Sequence, residues 1–263
     1  MQETPTASRI LQSRIDAVQE APAIEGVATG DELTMVVLED GRAGVGTLPE
    51  GSVPDVAGES ALAVARRGVE SVAPPERALG IAALNAIDAP ETVRPGLDPF
   101  RSLDPAVERV AMVGLFGPVL SHLNAGHVDV FERDPESMAP PADLPNDIEV
   151  AIHPPGDAAE IVPESPVLFV TGSTLVYGGL GGYLDAARPD QTVVVVGASA
   201  SFTPDPLFEA GVDLVGGASV EDVDRLRTEI AAGRSEARLH EVGLNKWAVL
   251  DPGTTDLAGL HIE

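Results

Sequence analysis

The chain has 263 residues, enough for one large domain or two modest ones with ample core. Its 42 acidic and 16 basic residues leave a net charge of −26, which disfavours nucleic acid and anionic membrane surfaces as partners. It has no cysteine, which excludes disulfides, thiolate metal centres and thiol catalysis, so any bound metal must be held by O or N ligands.

Residues 6–20 place Ile10, Leu11, Ile15 and Val18 on one helical face. Apolar segments at 24–29, 34–38 and 43–47 follow. Asp31-Glu32 and Asp40-Gly41 divide them, and Asp-Gly between apolar runs is a hairpin signal, so a small antiparallel meander is predicted. Helices are predicted over 59–71 and 76–88, parted by Pro74-Pro75. Residues 89–107 contain Pro90, Pro95, Pro99 and Pro105 and few apolar residues, and read as a linker. The expected division is 1–90 and 91–263.

After the linker the pattern becomes strand, helix, strand. Strands are predicted over 109–113, 128–132, 148–152, 167–171, 192–196 and 213–215, and helices near 117–124, 156–161, 175–187, 204–210 and 220–232. This alternation predicts an α/β domain with a Rossmann-like, open, mostly parallel sheet, preceded by a small α+β domain. Residues 242–250 are expected to add an edge strand, and the acidic end beyond Asp251 is expected to be loose.

The apolar strands stop abruptly in small polar residues, at the carboxyl ends where open α/β sheets bind ligands. Gly114-Leu115-Phe116-Gly117-Pro118 leaves one strand and opens a helix, so its N–H groups could receive an anion. Glu132 ends the next strand, where an acid takes ribose hydroxyls in dinucleotide-binding folds. The full G-x-G-x-x-G pattern is absent, and a tight turn with a surface acid reads equally from these residues. Glu132 and Asp134 flank Arg133 and could chelate a hard cation, or form a solvated loop.

Thr171-Gly172-Ser173-Thr174 brings hydroxyls to the end of another strand, suited to an anionic or carbonyl ligand or to capping a helix. Gly197 to Ser201 repeats the theme, with Ser199 and Ser201 toward the same crevice. No Gly-x-Ser-x-Gly elbow supports a serine nucleophile. His122 and His127 are five apart, which does not align them for metal ligation. His153 could reach the crevice, and His240 and His261 lie in the tail. Asn85 is an amide among small apolar residues at Gly80–Ile87.

GIAALNAI, VGLFGP, VFERDP, VTGSTLV, VVVGASASFTPDPLF and GVDLVGG, in that order, resemble the family described as "putative heavy-metal chelation", domain of unknown function 364. The front of the chain resembles its companion, domain of unknown function 4213, which is similar to the enolase N-terminal fold. The resemblance covers about residues 8–250. It implies a site in the crevice between the two domains that binds a heavy metal or a metal-containing cofactor, with a link to cobalamin-type cofactor metabolism.

By motif, the resemblance carries over Asn85, Gly114, Phe116, Glu132, Asp134, Thr171, Gly172, Ser173 and Thr174, then Gly197, Ser199 and Asp205. Glu132 and Asp134 would be the metal ligands. The chain departs from the family pattern at Tyr177 and Gly179. An alternative function is an enzyme binding a nucleotide or S-adenosylmethionine-like ligand, with Glu132 on its ribose. A third is a scaffold whose crevice is closed by side chains.

The acidity, with Lys246 as the single lysine, resembles proteins of extreme halophiles, in which salt screens repelling carboxylates. The N-terminus lacks a signal pattern and no apolar run is long enough to span a bilayer. A cytoplasmic protein is therefore expected, with a homodimer plausible.

Overall fold

The computed structural model describes residues 6–121, 123–140, 144, 148–254 and 256–262; His122 lies outside them. Helix α1 (Thr6–Ala17) precedes an antiparallel sheet of β1 (Ile24–Thr29), β2 (Leu33–Leu38) and β3 (Ala43–Thr47). Every residue of β2 is buried, because helices cover both faces of this small sheet. Helices α2 (Ala61–Glu70) and α3 (Pro74–Ile87) lie on one face, and the prolines fall at the N-terminus of α3, where a missing N–H costs nothing. Close approach explains Gly68 and Gly80: a Cβ on either would come within 2.7 Å of the other's Cα, so α2 and α3 touch backbone to backbone.

The segment 89–107 is packed. It includes β4 (Arg94–Pro95), and Phe100 and Leu103 are buried against the far face of the main sheet. The main sheet then follows in strand–helix order. Its members are β5 (Arg109–Val113), α4 (Gly117–Leu120), β6 (His127–Phe131), β7 (Glu149–His153), α5 (Ala158–Ile161), β8 (Val167–Thr171), α6 (Thr174–Tyr177), α7 (Leu180–Ala186), β9 (Thr192–Val196), α8 (Asp205–Glu209), β10 (Leu214–Val220), α9 (Val223–Ala231), α10 (Glu236–His240) and β11 (Leu244–Leu250).

The strand order is β4-β11-β10-β9-β8-β5-β6-β7, parallel from β10 to β7 and antiparallel at β10–β11 and β11–β4. The fold is thus the expected Rossmann-like, mostly parallel sheet preceded by a small α+β unit.

Alternate residues serve two cores. Ala111, Val113, Leu168, Val170, Val193 and Val195 face one continuous core with α1, α2 and α3. Val110, Met112, Val128, Val130 and Phe169 face the other, with Phe100, Leu103 and Leu260. Burial on both faces is why these strands read as unbroken apolar runs.

Three expectations need correction. The predicted helix over 175–187 is two short helices, because Gly178 (φ 84°) and Gly179 (φ 94°) take left-handed conformations that end α6. The strand expected at 242–250 is not at the edge, since β4 pairs with its Trp247 and Ala248. The tail beyond Asp251 is fastened: Leu260 is buried and bridges Leu103, Asp104 N–H donates to Gly259 O, and His261 N–H to Ser102 O.

Candidate functional site

From β5 the chain winds outward to β6 and β7, and from β8 it winds the other way to β9 and β10. Neighbours β5 and β8 therefore form a switch point, and the loops leaving their carboxyl ends diverge and leave a crevice. A cleft of about 680 Å³ opens there. Its lining comes entirely from residues 113–183. It includes the ends of β5, β6 and β8, the turn after β7 at Pro155–Ala159, and α6 and α7.

The sequence concentrates scarce aromatic rings here. The chain has two tyrosines, six phenylalanines and one tryptophan, and both tyrosines, Tyr177 and Tyr183, line the cleft with Phe116 and Phe131. Phe131 meets Tyr183 edge to face at 5.7 Å, and its ring centroid lies 5.6 Å from that of His153. Cleft walls of this kind bind planar apolar groups.

Glu132 enters the cleft from the end of β6, and its Oε1 accepts a 2.6 Å hydrogen bond from Leu115 N–H. Gly114 makes that turn possible: at φ 86° it takes a conformation other residues resist, and a Cβ would meet Thr171 Cγ2 at 3.0 Å. Tyr183 is only 6% exposed, and its hydroxyl has no partner among the described residues. Burial, with the Glu132 charge adding to it, pushes that phenol up to about 12, so it stays neutral. Arg133 Cζ stands 3.6 Å from the centroid of the Tyr177 ring.

Of the residues expected at the site, Gly114, Phe116, Glu132, Thr171, Ser173 and Thr174 line this cleft. The hydroxyls partly satisfy one another: Thr171 Oγ1 donates to Ser173 Oγ at 3.1 Å, and Thr174 Oγ1 donates to Thr171 O at 2.7 Å. Asp134, Gly172, Gly197, Ser199, Asn85 and Asp205 lie outside the lining. Asp134 is exposed and precedes a short turn, whose Ser137 bonds to its carbonyl. Gly172 N–H donates to Val196 O, and Gly197 (φ 142°) lets the turn after β9 pack on Gly172. Asp205 stands 3.6 Å from Arg14.

Asn85 and Ser199 belong to the contact between the front unit and the sheet. Asn85 Nδ2 donates to Val45 O at 2.6 Å and to Ala198 O at 3.0 Å. Ser199 Oγ accepts from Thr47 N–H at 2.9 Å. Arg77 Nε reaches Leu175 O at 2.6 Å, and burial lowers its pKa. The crevice was expected between the two parts. At these positions that boundary is filled by packed, hydrogen-bonded side chains, and the cleft opens within the second part instead.

The described histidines lie outside this lining. His127 and His153 both approach Asp129 Oδ1, at 3.2 and 2.8 Å, while Arg109 Nε holds its other oxygen at 2.7 Å. Among the described residues, no three of His, Asp and Glu come together to hold a metal ion. Among the described residues lining the cleft, Glu132 is the only carboxylate and there is no histidine.

Sequence reasoning passed over Tyr183 and left Tyr177 as a departure from the family pattern. The available signal was scarcity: the two tyrosines of an aromatic-poor chain flank the Gly178–Gly179 break. Their separation of six residues fits no single helix face, because the break between α6 and α7 re-aims them.

Profiles described as "Putative heavy-metal chelation" match residues 98–248 (domain of unknown function 364) and 12–87 (domain of unknown function 4213). The chain is 27% identical over 165 residues to an uncharacterised protein of Methanocaldococcus jannaschii, covering 57% of each chain. It therefore spans little more than half of that relative's length. Two crystal structures of unknown function from family 364 superpose on it. That from Pyrococcus horikoshii has a TM-score of 0.69 at 20% identity, covering 94% of this chain and 100% of its own. That from Desulfitobacterium hafniense scores 0.72 at 21%, covering 92% and 98%.

Proposed function

The chain belongs to the family described as "Putative heavy-metal chelation", and on that premise we propose that it binds its metal in chelated form, inside an organic ligand seated in the cleft at the ends of β5, β6 and β8. The donor set of the cleft carries this reading. Glu132 is its one carboxylate among the described residues, and the other side-chain oxygen donors are hydroxyls of Thr171, Ser173, Thr174, Tyr177 and Tyr183. Soft heavy metals seek thiolate or imidazole, and hard cations seek several carboxylates. A bare ion fits neither description here, whereas four aromatic rings and scattered hydroxyls suit an organic shell that already holds the metal. The expected pair of ligands, Glu132 and Asp134, reduces in this reading to Glu132, which contacts the shell.

Gly182 supplies the test. It lines the cleft, and a Cβ added there meets nothing within 4 Å, so Gly182→Leu fills the cleft without displacing backbone. Elemental analysis of wild type and variant, purified side by side and both folded by far-UV circular dichroism, should find metal in the first and not the second. Equal metal content would overturn the proposal.

A second reading has its own support. Glu132 ends the strand beside β5, the place of the ribose-binding acid in dinucleotide folds. An enzyme using a nucleotide or S-adenosylmethionine-like ligand would lose nucleotide affinity in Glu132→Ala with metal content unchanged. A wild type without nucleotide affinity rules it out.

A further inference from the structure

Two groups of the cleft have no hydrogen-bond or ion-pair partner among the described residues. The first is Arg133. It sits between Glu132 and Asp134, in a chain with 42 acidic residues, yet no carboxylate of the described residues pairs with its guanidinium. It lies instead over the Tyr177 ring, 3.6 Å from the centroid. That contact holds the exposed guanidinium over an uncharged face and leaves its N–H donors to water or to a ligand. The second is Tyr183, buried but for its 6% exposure, with its hydroxyl unpartnered in the same cleft. A ligand seated in the cleft can pair with that hydroxyl.

We infer that the ligand of this cleft carries an oxyanion, a carboxylate or a phosphate, which pairs with Arg133 on its Tyr177 platform, and a further polar group that hydrogen-bonds the Tyr183 hydroxyl. The inference rests on the reading that the cleft is the binding site and names the chemistry the site selects. A planar guanidinium matches the two oxygens of a carboxylate or phosphate in a bidentate pair. Glu132 repels an anion placed beside it, which leaves the Arg133 side for the oxyanion. The strongly negative protein supplies no general attraction for anions, so the selectivity falls on this one cation.

The chain's only two tyrosines both line the cleft, so tyrosine labelled with ¹³C in its ring gives a spectrum in which both signals report on the site. Benzoate, phenyl phosphate and the neutral benzamide are titrated into the full chain, and the same three into Arg133→Gln. At least one anion should move the tyrosine signals about tenfold more tightly than benzamide, the scale of one charge-assisted pair. The tighter anion identifies the oxyanion as carboxylate or phosphate. Arg133→Gln should erase the advantage and leave benzamide unchanged.

If benzamide binds as tightly as both anions, or Arg133→Gln keeps the advantage, the inference falls while the cleft remains a binding site. If none of the three probes moves either signal, the inference and the cleft reading fall together.

Discussion

Glu132 Oε1 accepts the Leu115 N–H at 2.6 Å, fastening the acid that ends β6 to the turn that leaves β5. One hydrogen bond thereby joins two neighbouring strand ends and shapes one wall of the cleft. Glu132→Ala leaves the Leu115 N–H without its partner, and the lost charge-assisted bond costs about 1.5–3 kcal/mol. The side chain is only half-buried, so the lower end is expected. Urea midpoints of wild type and variant check it, and an unchanged midpoint would contradict the account of this turn.

Gly114→Ala should destabilise by about 1–3 kcal/mol, because φ 86° is a left-handed conformation and the added methyl presses on Thr171. Gly182→Leu, at an open helical position, should not. Thermal unfolding of the two variants side by side separates backbone strain from loss of glycine alone.

How much of this was legible in sequence varies by element. The apolar runs at 109–113, 167–171 and 192–196 gave their strands within a residue, because burial on both faces confines polar residues to the strand ends. The Gly178–Gly179 break was hidden, since glycine inside a helical pattern does not announce its φ. Gly114, Glu132 and the Thr171 loop were readable as strand-end residues, whereas Ser199, also read from a strand end, and Asn85, read as an amide in an apolar stretch, line no part of the cleft. Their side chains bond across the contact with the front unit, a tertiary fact that one-dimensional spacing does not carry. Arg133 and Tyr177 meet only because separate turns bring them together.

Asp129 sets the acid limit of stability. Burial works to raise its carboxyl, but hydrogen bonds from Arg109, His153 and His127 outweigh burial and hold it below the usual carboxylate range. A depressed folded pKa stabilises above the unfolded value, about 3.9, and that stability is lost as pH falls through the folded pKa. Asp129→Asn leaves Arg109 without its buried partner and should cost about 3 kcal/mol at neutral pH. It should also flatten the loss of stability below about pH 4. Denaturant unfolding from pH 7 to 3 measures both, and identical acid limbs would contradict the role.

Tyr183 should ionise at about 12. A raised folded pKa contributes stability present below the unfolded value, about 10, and lost as pH rises through the folded one. Absorbance at the tyrosinate band should therefore show a late step that disappears in Tyr183→Phe. A variant that keeps the late step would reassign it to Tyr177.

The net charge of −26 predicts dependence on salt. Carboxylates unscreened at a Debye length of about 30 Å repel one another, so far-UV structure should fade as molar potassium chloride is removed. A spectrum constant over that range would refute a halophilic surface and would permit every binding assay at low salt.

Native mass spectrometry of the purified chain asks whether the cleft takes a metal already enclosed in an organic ligand. The account predicts a bound mass well above that of any metal atom, released whole on denaturation and missing from Gly182→Leu. A bound mass equal to a bare metal ion, or one retained when Gly182→Leu fills the cleft, would contradict it.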